Sequence, residues 1–122
     1  MASVLVVEDD SELRDMVCLM LKYKGFEVKG AEDGIDGLDV LSSWHPDLIV
    51  LDVMMPRMDG LTMCRQVRQV PETADLPIIM ISGRTQGQVV KEGLAAGANK
   101  YMLKPMSLDA LMQNIQELLP SQ

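Results

Sequence analysis

Four consecutive apolar residues, Leu48-Ile49-Val50-Leu51, run without a polar break into one carboxylate, Asp52. A strand with one face in water alternates apolar and polar side chains. A short unbroken run instead fits a strand covered on both faces, as in the centre of a parallel sheet. Pro56 and Gly60 then turn the chain, and Asp59 is placed to cap the helix that follows. Open parallel sheets bind ligands at the carboxyl ends of their strands, so Asp52 lies where chemistry is expected. Taken alone, Asp52 is equally well explained as a turn cap, because Asp is a common turn residue.

The rest of the chain supplies the partners of that strand. Ser3 to Val7 is a short β-branched run, a first strand, and it ends in the acids Glu8, Asp9 and Asp10. A helical period follows, with Leu13, Met16, Val17, Met20 and Leu21 on one stripe. Asp10 or Ser11 can cap it, and Gly25 closes it. Phe26 to Ala31 reads as a second strand, and its Glu27 and Lys29 point to a sheet edge. Ile35, Leu38 and Leu41 mark a second helix that stops before Pro46, with His45 in the stop and without an assigned role. The third strand is Asp47 to Asp52, and Leu61, Cys64 and Val67 mark a third helix. Val70 to Leu76, with Pro71 and Pro77 around it, is a loop. Ile78 to Ser82 is a fourth strand, apolar up to its last residue. Gln86 to Ala96 is a weak helix, since Gly87 and Gly93 each cost about 1 kcal/mol against Ala. Tyr101 to Leu103 is a fifth strand, followed by Lys104-Pro105. Ser107 caps a last helix with Leu108, Leu111, Met112, Ile115, Leu118 and Leu119 on one stripe, and Pro120 ends it. Strand and helix alternate five times without an internal linker. That pattern predicts an α/β fold: a doubly wound five-stranded parallel sheet, helices on both faces, joined by right-handed crossovers.

A chain of 122 residues holds one core, so residues 1–122 form one domain. The net charge of −7 argues against nucleic acid as a direct ligand, because phosphate contacts need clustered Lys and Arg. No apolar run reaches membrane-spanning length. The start, Met1-Ala2-Ser3, lacks the basic-then-apolar pattern of a signal peptide. Cys18 and Cys64 fall inside helical patterns and read as small core hydrophobes in a reducing cytosol. The 11 methionines read as packing material for a core with few aromatics.

The polar residues that this framework carries converge. Glu8 and Asp9 follow the first strand, Asp52 ends the third, Ser82 ends the fourth and Lys104 follows the fifth. All lie at the carboxyl edge of the sheet. If the first and third strands are neighbours, three carboxylates meet. Like charges that close raise each other's pKa or require a cation. A hard divalent ion resolves the repulsion, and Mg²⁺ suits a site with few protein ligands and several waters. An anionic nucleophile, a hard cation, an ammonium and a hydroxyl are the parts needed to accept a phosphoryl group. Each residue alone is explained as a turn cap or surface charge; the whole set at successive strand ends is not.

The chain resembles the receiver domains of two-component response regulators. The resemblance runs over essentially its whole length and rests on Val6-Val7-Glu8-Asp9-Asp10, Asp47-Leu48-Ile49-Val50-Leu51-Asp52, Met55-Pro56-Arg57-Met58-Asp59-Gly60, Pro77-Ile78-Ile79-Met80-Ile81-Ser82, Gly97-Ala98 and Lys104-Pro105. It implies a flavodoxin-like receiver fold with strand order 2-1-3-4-5 and a cis peptide between Lys104 and Pro105. It implies that Asp52 is the phosphoacceptor, loaded by a histidine kinase, a phosphotransfer protein or a small phosphodonor. Asp9, Asp52 and the backbone carbonyl of Met54 are the implied Mg²⁺ contacts, with Glu8 acting through water. Ser82 is the implied switch hydroxyl and Lys104 the ion-pairing amine. Tyr101 stands where the family places an aromatic that changes rotamer with the hydroxyl; a Tyr simply packed on the fourth helix is the alternative. The implied readout is a rearrangement of Ser82, the loop Gly83 to Gln86 and the helix four–strand five–helix five face. That face would control a downstream protein or an output domain, or pair two copies of the chain.

The departures are few. The acidic pair is Glu-Asp rather than Asp-Asp, and Met54 and Arg84 sit where the family varies residues beside the phosphate. Such a protein assists only its own phosphorylation and dephosphorylation and is not otherwise an enzyme, and the expected compartment is the cytoplasm. The chain ends soon after the last helix, at Pro120-Ser121-Gln122, which fits a stand-alone receiver or a piece of a larger regulator. Three competing readings remain. An enzyme of the haloacid dehalogenase type needs a second Asp two residues after the nucleophile, where this chain has Met54. A flavodoxin-like electron carrier needs a Ser/Thr/Gly phosphate loop after the first strand, where this chain has three acids. A phosphorylation-independent binding module would have no use for the complete set Glu8, Asp9, Asp52, Ser82 and Lys104.

Overall fold

The strands form where the apolar runs lie, because only pairing on both edges satisfies the backbone of a segment buried on both faces. In a computed structural model that describes residues 2–83 and 87–119, the elements are β1 (Ser3–Val7), α1 (Ser11–Tyr23), β2 (Glu27–Ala31), α2 (Gly34–Leu41), β3 (Leu48–Asp52), α3 (Gly60–Gln69), β4 (Ile78–Ser82), α4 (Gly87–Ala96), β5 (Lys100–Leu103) and α5 (Leu108–Leu118). The five strands are all parallel and lie in the order β2-β1-β3-β4-β5. Every residue of β1, β3 and β4 is buried, whereas the edge strand β2 carries exposed Glu27, Lys29 and Gly30. The Lys104–Pro105 peptide is cis.

Side-chain alternation splits the sheet between two cores. Leu5, Val7, Ile49, Leu51, Ile78 and Met80 face Leu41 of α2, Met63, Cys64 and Val67 of α3 and Ala96 of α4. Val4, Val6, Val50, Ile79 and Ile81 face Val17 and Leu21 of α1 and Leu111 and Ile115 of α5. Three helices therefore cover one face and two the other. Capping follows the short polar residues: Asp10 accepts from the N–H groups of Glu12 and Leu13, Asp59 from that of Thr62, and Ser107 from that of Ala110. Gly25, at φ +98, turns the chain out of α1.

Some readings shift. Asp47 lies outside β3, because its carboxylate accepts from the Ser3 N–H at 2.8 Å and thereby fixes the start of β1. Phe26 lies outside β2, since its N–H closes the end of α1 on the Leu21 carbonyl. Lys100 extends β5 by one residue, pairing with Ile79. Gln86 and Pro120, the expected start of α4 and end of α5, lie outside the described residues, as does Arg84. The largest correction concerns α1. Met16 and Met20 share the apolar stripe, but they are 56 % and 36 % exposed. Both line an open apolar groove that faces the Lys104–Leu111 segment, with Leu13 and Leu108 beside them. Met63 and Met80 are core residues, whereas Met16, Met20 and Met54 are surface, so the methionine excess is only partly packing material. Cys18 and Cys64 are free thiols, Cys64 fully buried. His45 is exposed in a loop.

One side chain that carries no sequence signature organises the amino end of the strands. The guanidinium of Arg68, in α3, donates to the Gly97 carbonyl at 3.0 and 2.7 Å and to Asn99 Oδ1 at 3.0 Å. Its other terminal nitrogen donates to the carbonyls of Leu76, Ala74 and Thr73 at 2.7, 3.2 and 3.4 Å. Gly97, at φ +117, has no Cβ to obstruct this; one would lie 2.8 Å from Arg68 Cγ.

Candidate functional site

Register assembles the site. Val7 of β1 pairs with Leu51 of β3, so Glu8 and Asp52, each one residue further on, are neighbours at the carboxyl edge. Asp52 pairs with Ile81 of β4, and Ser82 pairs with Leu103 of β5. Ser82 therefore flanks Asp52 on the side away from Glu8, with Lys104 beyond it. This edge is the switch point where the chain leaves β1 for β2 on one side and returns to β3 on the other, the place where open α/β sheets form their crevice.

Oxygens of Glu8, Asp9 and Asp52 lie within 4.8 Å of one another. Glu8 is 1 % exposed, Asp52 3 % and Ser82 0 %, while Asp9 faces solvent. Lys104 Nζ lies 2.8 Å from Glu8 Oε1 and 3.4 Å from Asp52 Oδ2. The Glu8 Oε1 contact is an ion pair but not a well-directed hydrogen bond, which leaves a buried carboxylate oxygen short of one partner. The Glu8 backbone is held by Arg14, whose guanidinium donates to its carbonyl at 2.8 Å. The Met54 N–H stands 3.4 Å from Asp52 Oδ1, and the Met54 side chain is 50 % exposed at the rim. Gly60 allows the β3–α3 loop to close tightly: a Cβ there would collide with the Asp52 carbonyl oxygen.

Charge is out of balance here. Burial, a hydrogen bond shared with Glu8 and the Glu8 charge together push Asp52 up to about 7, and Lys104 opposes the shift only in part. Burial alone would lower Lys104, but Glu8 and Asp52 outweigh it and raise its pKa. Three clustered carboxylates facing one ammonium leave excess negative charge. With all-oxygen donors and an under-satisfied Glu8 oxygen, these residues fit a hard divalent cation.

Tyr101 sits on the far side of Ser82. Its ring lies against α4 at Gly93, where a Cβ would be 2.9 Å from Tyr101 Cδ2 and 2.9 Å from Met80 Sδ. Its hydroxyl is buried without a hydrogen-bond partner among the described residues. The structure thus brings together Glu8, Asp9, Asp52, Met54, Ser82 and Lys104 and places Tyr101 one layer behind. Sequence reasoning missed Asp33 and Arg57. Asp33 is buried, caps α2 and accepts from Arg57 Nε at 2.6 Å. The Asp33-Gly34 pair carried a readable cap signal; the Arg57 pairing, 24 residues away, carried none.

Comparison with known proteins places this geometry. A family model described as the response regulator receiver domain matches residues 4–116. Response regulator MprA of Mycobacterium avium is 42 % identical over 116 residues, covering 95 % of this chain and 50 % of that protein. The chain therefore spans about half the length of the curated relatives it matches. The chemotaxis protein CheY4 of Vibrio cholerae superposes with a TM-score of 0.93 at 34 % identity, over 98 % of this chain and 99 % of that one. The response regulator TrrA of Thermotoga maritima, solved in complex with Mg²⁺-BeF, gives 0.86 at 28 % identity, over 98 % of this chain and 100 % of that one.

Proposed function

This chain belongs to the response regulator receiver domain family, and from that premise we propose that Asp52 accepts a phosphoryl group, in a Mg²⁺-dependent reaction, from a histidine kinase or phosphotransfer protein. One observation carries the reading: a nearly buried Asp52 carboxylate stands beside two further carboxylates, with an ammonium 3.4 Å away. An Asp52 carboxylate oxygen attacks the phosphorus of a phosphohistidine. The P–N bond breaks, an acyl phosphate P–O bond forms, and the departing imidazole takes up a proton. Lys104 faces the transferred group and offsets its charge. Ser82 supplies a hydroxyl donor to a phosphoryl oxygen. Asp9, Asp52 and the Met54 carbonyl would hold Mg²⁺, Glu8 acting through water, and the ion would neutralise charge on the transferring oxygens.

The protein processes no separate substrate in this reading. Two free thiols, Cys18 and Cys64, suit a reducing compartment, and the cytoplasm is the location we propose. No helix among the described residues is long and apolar enough to cross a membrane. An apolar cavity of about 670 Å³, lined by Leu13, Met16, Met20, Met106 and Leu108, reaches Lys104. The surface of α4, β5 and α5 is reserved for an output domain, a downstream protein or a second copy.

Intact mass after incubation with acetyl phosphate tests the acceptor. The expected result is a gain of one phosphoryl group that needs Mg²⁺ and is absent in Asp52→Asn. A gain that survives Asp52→Asn would refute the assignment, and no gain with either a kinase or acetyl phosphate would favour a binding module. The switch is tested separately. A phosphate mimic is expected to shift the NMR signals of Tyr101 and Val89; unchanged signals at both would remove the α4–β5–α5 readout.

A further inference from the structure

Between β3 and α3 the chain reverses through a turn that is costly to hold. Arg57 has φ +61, alone among the described non-glycine residues in the left-handed region. The Met58 N–H donates to the Pro56 carbonyl at 2.7 Å, closing a three-residue turn centred on Arg57. Turns of this hand are rare and persist only where the surroundings over-determine them.

The surroundings are supplied by the β2–α2 loop. Arg57 Nε donates to Asp33 Oδ2 at 2.6 Å, while Asp33 Oδ1 accepts from the Asp36 N–H at 2.9 Å and caps α2. One carboxylate, 2 % exposed, thus divides its oxygens between a helix cap and the turn. Its carboxyl is held below the usual range, first by the Arg57 hydrogen bond. Next to it the Gly34 N–H donates to the Met58 carbonyl at 3.1 Å. A Cβ at Gly34 would lie 2.6 Å from Met58 Cγ, so the two loops are in full contact. The loop is tied at its other end too, where the Gly60 N–H donates to the Val53 carbonyl at 2.9 Å. Between these ties lie Met54, Met55 and Pro56, the backbone beside Asp52.

We propose that Arg57 and Asp33 form a latch that positions the Met54 backbone against Asp52, making both positioning residues for phosphoryl acceptance and for the cation beside it. Neither touches the acceptor, and both act through the turn at Arg57. The role in phosphorylation rests on Asp52 being the acceptor; the effect on the loop itself does not. Arg57 is about half exposed, so its loss removes the tie without opening the core.

The test compares wild type, Arg57→Ala, Asp33→Asn and the double variant. Amide exchange at Met54 and Met58, measured without metal, is expected to speed up at least about tenfold in each variant, with α5 amides unchanged as the control. Mg²⁺ affinity, read by calorimetry, is expected to fall about tenfold, the usual effect of losing a residue that orients a metal ligand. The double variant should add little to either single change, because both break one tie. Unchanged exchange at Met54 in Arg57→Ala, or effects of the two variants that simply add, would overturn the latch. If wild type takes up no phosphoryl group, the acceptor reading fails, but the exchange result still decides the latch.

Discussion

Asp52→Asn is expected to stabilise the metal-free protein at pH 8 while doing little near pH 4. The folded state holds the Asp52 proton up to about pH 7, whereas an ordinary Asp releases it near 3.8. Between those values the folded chain binds more protons than the unfolded chain, so rising pH destabilises it. The loss is complete above the folded value and absent below the unfolded one. The full difference corresponds to at most about 4 kcal/mol, since each tenfold change in proton affinity is worth about 1.4 kcal/mol. Asparagine keeps the shape and removes the charge, so it should recover much of that loss at pH 8. Mg²⁺ should stabilise wild type by about 2.7 kcal/mol at a concentration roughly 100 times its dissociation constant, and Asp52→Asn far less. Urea unfolding of both proteins at pH 4.5 and 8, with and without Mg²⁺, checks this. Equal stabilities at pH 8 would show that the carboxylate is not strained.

Arg68→Ala is expected to cost on the order of 3 kcal/mol, the loss of several charge-assisted hydrogen bonds at a half-buried site. For a domain of this size that would lower Tm by roughly 10 °C. The reason is the number of elements that one guanidinium joins. It links α3 to the loop before β4 through Thr73, Ala74 and Leu76, and to the α4–β5 connection through Gly97 and Asn99. Asn99 Oδ1 in turn accepts from the Ile78 N–H at 2.8 Å, at the first residue of β4. Arg68→Lys should rescue little, since a point-like ammonium cannot reproduce a planar fork that reaches carbonyls on two sides. Because all these contacts lie at the amino end of the strands, phosphoryl acceptance at 25 °C should persist in the variant. Thermal melts with a phosphorylation assay at low temperature separate the two effects. A stability loss under about 1 kcal/mol would mean that water satisfies those carbonyls equally well.

Much of this protein is legible in one dimension. Unbroken apolar runs at Val4–Val7, Leu48–Leu51 and Ile78–Ile81 identify the buried strands, because burial on both faces leaves no polar position. Asp59 and Ser107 mark helix starts through local hydrogen bonds that span three residues. The candidate site is legible for the same reason: in a parallel sheet every strand ends at the same edge, so residues just after strands are collected there whatever the loops do. Local spacing failed where the answer depended on width or distance. Met16 and Met20 have the period of a buried stripe, yet they line an open groove that faces the Lys104–Leu111 segment.

The alternation of elements, the burial of the central strands and the identity of the acids, hydroxyl and lysine at one edge all follow from the order of residues alone. These depend on side-chain period and on residues a few positions apart. Folding in three dimensions is what brings Arg57 to Asp33 across 24 residues and Arg68 to Gly97 across 29, and what pushes the Asp52 pKa up to about 7 through burial and Glu8. Each of these is set by distance and burial in three dimensions, where contacts between loops far apart in the chain and the exclusion of water determine the energy.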